Sequence, residues 1–166
     1  MTITVKGPFF GKSSVCEPIL NSLPQWFGME EANTQYLRDI ETLPTFLAFI
    51  NGETVGFLTL RQHNEYAAEI HTTGVYPEIH RKGVGRALMA KAEEFLKQEG
   101  IEYLQVKTLG PSHPSEDYAR TRAFYLAMGF RPLEEFRELW NEENPCLLMV
   151  KKLTNVNPPQ KNGSSC

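Results

Sequence analysis

Apolar residues recur along the chain in two rhythms. In the first, Val84, Leu88, Ala92 and Phe95 follow at intervals of four, four and three, one stripe of a helix that Gly100 closes. Residues 13–22 and 29–42 are also helical in character, with Pro24 and Gly28 breaking them apart. Ser115 caps a further helix, with Glu116 and Asp117 in its first turn. That helix runs through YARTRAFYLAM to Gly129, where Phe130 can fold back on Phe124 or Tyr125. The second rhythm is shorter. PTFLAFINGETVGFLTLRQH reads as two strands about Asn51-Gly52, a hairpin dipeptide. A third strand spans Ala67 to about Val75, and IEYLQVKTL is another. RPLEEFREL and CLLMVKKL close the pattern, and ITV gives a short strand near the start. The order is helices, a three-strand meander, helix, strand, helix, two strands, without internal repeat. It predicts an α/β or α+β domain with a mixed sheet.

Composition narrows the class. At 166 residues, 41% hydrophobic and 22% charged, the chain reads as one domain over residues 1–153. The remainder, TNVNPPQKNGSSC at 154–166, is polar and rich in Pro, Gly and Ser, the composition of a disordered tail. A net charge of −3 argues against a nucleic-acid partner, which would call for a basic surplus. Cys16, Cys146 and Cys166 are odd in number and form no CxxC pair, which points to a reducing cytoplasm rather than a disulfide framework. MTITVKGPFF lacks the pattern of a signal peptide, and FLAFI and CLLMV are too short to cross a membrane.

The candidate chemistry centres on HRKGVGR, residues 80–86, at the head of the Val84 helix. Glycine forms helices poorly, so Gly83 and Gly85 answer another demand. That demand is close packing, a tight turn, or an anion resting on backbone N–H groups. A P-loop elsewhere is excluded: GPFFGKSS, from Gly7, has three residues rather than four before Gly-Lys-Ser, and two are Phe. A dinucleotide fingerprint is incomplete, because Leu88 takes the third glycine position and no acid ends the next strand.

The segment GVYPEIHRKGVGRALM resembles the acetyl-CoA signature of the GCN5-related N-acetyltransferases, the GNAT family, written Q/R-x-x-G-x-G/A. His80 stands where that family usually has Gln or Arg. Downstream, YARTRAFYLAMGFRP is similar to the family's later motif; Phe124, Tyr125, Gly129 and Phe130 match, while Tyr118 and Thr121 replace the usual Asn and Ala. With the hairpin, the resemblance covers about residues 44–153. It implies a mixed, mostly antiparallel central sheet flanked by helices, with the fourth and fifth strands splayed to admit pantetheine. The CoA pyrophosphate would meet the backbone of His80, Arg81, Lys82, Gly83, Val84, Gly85 and Arg86, with basic side chains around it. The backbone from Thr73 to Val75 would pair with the pantetheine arm like an added strand.

The same resemblance implies direct attack of an amine on acetyl-CoA in a ternary complex. Glu69 is the candidate base, acting through water, because AEIHTTGV places it six residues before Val75 as in the family pattern; solvent-facing Glu is the alternative. His71 ranks below it as an alternative or auxiliary base, and no third ligand at useful spacing makes a metal site of the two. Tyr125 is the candidate acid near the thiol, or else a core aromatic. Trp26 and Phe27 either line the acceptor pocket or plug the core, and His71, His113 and Tyr118, with Glu30 and Glu31 nearby, are candidates for the same pocket. Residues 110–120 either close over the acceptor or merely connect. The acceptor class stays open among small-molecule and peptide amines, and family members often form homodimers. A CoA-binding module without catalysis, serving as a sensor or interaction protein, is the rival reading.

Overall fold

The computed structural model describes residues 1–153, so the expected tail lies outside the described residues. The chain runs β1 (Ile3–Phe9), α1 (Ser13–Asn21), α2 (Glu30–Thr42), β2 (Thr45–Ile50), β3 (Glu53–Gln62) and β4 (Ala67–Val75). It continues through α3 (Val84–Gln98), β5 (Tyr103–Leu109), α4 (Glu116–Ala127), β6 (Arg131–Asn141) and β7 (Asn144–Lys152). The seven strands form one sheet in the order β1-β2-β3-β4-β5-β7-β6. Every neighbouring pair is antiparallel except β4 with β5. The mixed, mostly antiparallel sheet flanked by helices is the architecture expected.

Local chemistry explains where the elements turn. Asn51 and Gly52 both take positive φ, 52° and 80°, as the two-residue hairpin between β2 and β3 requires. The Ser115 hydroxyl accepts from the Tyr118 N–H and caps α4. Gly129, at φ 97°, ends that helix and turns Phe130 back onto the Tyr125 ring, centroids 5.4 Å apart. β1 is longer than the short strand expected, because it pairs with β2 from Ile3 as far as Phe9.

Two apolar clusters flank the sheet. On one face, Val84, Leu88, Met89, Ala92 and Leu96 of α3 pack on Phe46, Leu58, Leu60 and Ile70, and Tyr125 and Phe130 extend the cluster. Each fully buried Leu or Met contributes about 1.5–3 kcal/mol. The other cluster joins Cys16, Ile19, Leu20 and Leu23 to Ile40, Leu47 and Phe57, seating α1 and α2. No helix among the described residues is long and apolar enough to cross a membrane.

One irregularity positions the site. Thr59 pairs with Thr72 and Leu60 with Ile70, which leaves His71 as an extra residue in β4. Such a bulge bends its strand. The parallel pairing of β4 with β5 ends at that point, with Ile70 opposite Val106, while β5 continues to Leu109 against β7. Beyond residue 70 the two strands part.

Candidate active site

The parting of β4 and β5 opens a cleft of about 1090 Å³, lined from both helical layers. One wall is the turn into α3. The first intrahelical bond runs from Ala87 N to Gly83 O at 3.0 Å, and no side chain caps the start. The N–H groups of Val84, Gly85 and Arg86 therefore lack helical partners and sit at the positive end of the dipole. Arg81 and Gly83 both take positive φ, 63° and 89°. Gly85 lies against the Phe124 ring, where an added Cβ would stand 3.3 Å away. Arg81, Gly83, Val84, Gly85 and Arg86 all border the cleft; the exposed Lys82 side chain does not.

Thr73 and Val75 line the parted edge of β4. The bond from Tyr76 N to Val55 O at 3.0 Å turns the preceding carbonyl, that of Val75, away from β3. His80 meets it there: its Nε2–H donates to Val75 O at 2.7 Å. The family-atypical histidine thus occupies one carbonyl that an added strand would use. Thr72 leaves its buried hydroxyl without any partner on the same cleft wall.

At the other end lies Glu69, only 7% exposed yet on the cleft wall, so the solvent-facing alternative does not apply. Its Oε1 accepts from Gln105 Nε2 at 3.0 Å and Lys107 Nζ at 3.3 Å, and bonds His63 Nε2 at 2.7 Å. No described residue bonds its Oε2. Burial pushes the carboxyl upward; the bonds from His63 and Gln105 and the Lys107 charge outweigh that and hold it below its ordinary value. His71 forms a second carboxylate–imidazole pair, Nε2 to Asp39 Oδ2 at 2.8 Å, with its ring edge-on to Tyr36. Among the described residues no three His, Cys, Asp or Glu cluster closely enough to hold a metal ion.

Tyr125 enters from α4, 4% exposed, its ring between Phe124 and Phe130. It is both a core aromatic and part of the cleft wall. Burial first, then the neighbouring Tyr118, raises its phenol well above the ordinary value. Tyr118 is itself pushed up to about 12 by burial and by Tyr36, and its hydroxyl donates to Trp26 O at 3.0 Å.

Trp26 and Phe27 sit where core and cleft meet. They pack on the α1–α2 cluster and also line the cleft. Trp26 Nε1 donates to Thr121 Oγ1 at 2.9 Å, and its ring meets that of His80 edge-on, centroids 6.0 Å apart. Glu30, Glu31 and His113 stand outside the cleft lining. His113 is held in the turn after β5, where its N–H bonds Gly110 O at 3.1 Å. Sequence reasoning missed Tyr36, Arg61, His63, Lys107 and Trp140, all of which face the cleft. Gln105 and Lys107 alternate with buried Leu104 and Val106 along β5, and that polar face was the signal for them.

Comparison with known proteins adds to this geometry. Residues 16–130 match the family model described as the acetyltransferase (GNAT) family. An uncharacterised N-acetyltransferase of Chlorobaculum tepidum is 27% identical over 115 residues, covering 68% of this chain and 64% of that protein. The match therefore spans slightly less than two thirds of that relative. A GNAT-family protein from Desulfovibrio desulfuricans has the same fold, with a TM-score of 0.80 at 15% identity over 92% of this chain and 100% of that one. A GNAT family acetyltransferase from Elizabethkingia anophelis, solved with acetyl-CoA bound, has a TM-score of 0.70 at 18% identity, covering 91% and 98%.

Proposed function

This chain belongs to the GNAT acetyltransferase family, and from that premise we propose that it transfers an acetyl group from acetyl-CoA to a primary amine by direct attack, both substrates bound at once. The observation that carries the reading is the gap between β4 and β5. Unbonded amides lie at one end of it and a charged carboxylate with a free oxygen at the other. The chain's residues fit acetyl-CoA. The open N–H groups of Val84, Gly85 and Arg86 suit its pyrophosphate, Arg81 and Arg86 add charge, and the orphaned Thr72 hydroxyl offers a polar contact along the slot. Thr73 offers backbone groups to the pantetheine arm, as does Val75 once His80 turns aside. Acetyl-CoA supplies an activated thioester when bound.

Glu69 receives the amine's proton through its free Oε2, directly or through one water. A carboxylate held below its ordinary value stays charged throughout the neutral range. It attracts the ammonium group but keeps the proton only briefly, and His63, bonded to the same carboxylate and partly exposed, offers a way out to solvent. Tyr125, on the cleft wall, would stand beside the CoA thiol. Its raised phenol stays protonated through the neutral range and is able to give the leaving sulfur a hydrogen bond and then the proton.

The two described cysteines, Cys16 and Cys146, favour direct attack over an acetyl-enzyme. Burial pushes Cys16 up to about 12 and Cys146 up to about 11, so neither is a poised nucleophile. Initial rates with both substrates varied test this. The proposal expects double-reciprocal lines that intersect; parallel lines, the mark of a covalent intermediate, would contradict it.

The acceptor pocket lies on the α1–α2 side, with Trp26, Phe27, Tyr36, His71 and Tyr118 around it. Trp26→Ala should raise the acceptor's KM about tenfold, the worth of one aromatic contact. Acetyl-CoA affinity should fall by less, through the ring contact with His80. Equal losses for both substrates, with a large drop in melting temperature, would mark Trp26 as a core residue instead.

A further inference from the structure

The acceptor end of the cleft is unevenly satisfied. The carboxylate on its wall, Glu69, is well supplied with donors, three groups on Oε1, as is Asp39 behind the lining, through Gln35 on Oδ1 and His71 and Arg61 on Oδ2. The two permanent cations beside Glu69, on β3 and β5, are not; Arg120 of α4 is paired with Asp117. Arg61 makes a single ion pair, 3.6 Å from Asp39, and its side chain is 40% exposed. Lys107 makes one, 3.3 Å to Glu69, and is 33% exposed. A guanidinium has five N–H donors and an ammonium three, so most of this donor capacity is open to the cleft.

Register fixes where those donors lie. Arg61 stands opposite Glu69 on β3, and Gln105 opposite it on β5, with Lys107 two residues further along β5. Facing side chains in such a row start about 5 Å apart. Glu69 therefore stands in one row with Arg61 on one side and Gln105 and Lys107 on the other.

An acceptor carrying only an ammonium would find its one carboxylate partner beside two cations, and each like charge weakens its hold. A polyamine would fare worse. An acceptor whose amine lies two or three bonds from a carboxylate meets the pattern: ammonium to Glu69 Oε2, carboxylate to Arg61 or Lys107, apolar body against Trp26, Phe27 and Tyr36. Resting on the acetyl-transfer reading, we propose that the acceptor is an amino acid or a similar amino carboxylate with an aromatic or apolar side chain.

The test compares three matched probes in thiol release from acetyl-CoA: L-phenylalanine, L-phenylalaninamide and phenethylamine. The wild type should show kcat/KM for phenylalanine at least tenfold above either carboxylate-free amine. Arg61→Gln, or Lys107→Gln if the first fails to fold, should cut that preference below about threefold. Equal or better turnover of the carboxylate-free amines by the wild type, or of spermidine, overturns the inference and leaves amine acetylation standing. An unchanged preference in both folded variants also overturns it. A protein that binds acetyl-CoA but releases no thiol with any of these amines overturns the underlying reading instead.

Discussion

In Gly85→Val, affinity for acetyl-CoA falls at least a hundredfold while the domain stays folded. Gly85 has helical backbone and lies in the first turn of α3, where valine has the higher helix propensity, so the backbone does not oppose the change. The loss comes from space. A Cβ at this position already approaches Phe124 Cζ to 3.3 Å, and the two methyl groups of valine push further into the ring and the cleft beside it. An anion resting on the amides of Val84, Gly85 and Arg86 needs that approach clear. A hundredfold loss corresponds to about 2.7 kcal/mol. Gly85→Ala, with the Cβ alone, should lose far less. Calorimetric titration alongside a thermal melt measures both, and wild-type affinity in a folded valine variant would remove the pyrophosphate from this turn.

Glu69→Gln lowers kcat at least a hundredfold, in the range a positioned base contributes, with acetyl-CoA affinity little changed. The amide keeps the size of the side chain and its contact with Gln105 but removes the charge that faces the ammonium and Lys107. The deficit should be deepest below neutral pH, where acceptor amines hold their protons. Because Glu69 is held below its ordinary value of 4.5, it stays ionised until the pH falls beneath that value. The acid limb of the wild-type profile therefore reports the amine and not this carboxylate. The sign for stability follows: a depressed carboxylate supports the fold above the ordinary carboxylate range, and that support is lost as pH falls through the lowered value. Wild-type kcat in the variant across pH, with chemistry rate-limiting, would take the role away from Glu69.

Much of the fold could be read locally because its signals are local. Asn51-Gly52, Ser115, Gly100 and Gly129 each mark an end through backbone conformation or a single cap. The α3 stripe needed only its own spacing to find its buried face. The extent of β1 depended instead on a partner strand 40 residues away, and nothing within ITV announces it.

The site divides in the same way. Gly83, Gly85, Glu69 and Tyr125 belong to motifs contiguous in sequence. Arg61 of β3 and His63 just past it, Lys107 of β5 and Asp39 of α2 meet only through sheet register and the packing of α2. The bulge at His71 breaks the strict alternation of faces along β4. Lys82, His113, Glu30 and Glu31 sit at the right place in the chain, yet none reaches the cleft wall.

Wild-type protein is titrated with acetyl-CoA, and thiol release is then followed as a panel of primary amines is added. The prediction is saturable binding, followed by release that depends on the amine and yields one acetylated product per thiol. Binding without release for any amine would make the chain a CoA-binding module, and absence of binding would contradict the reading of the cleft altogether.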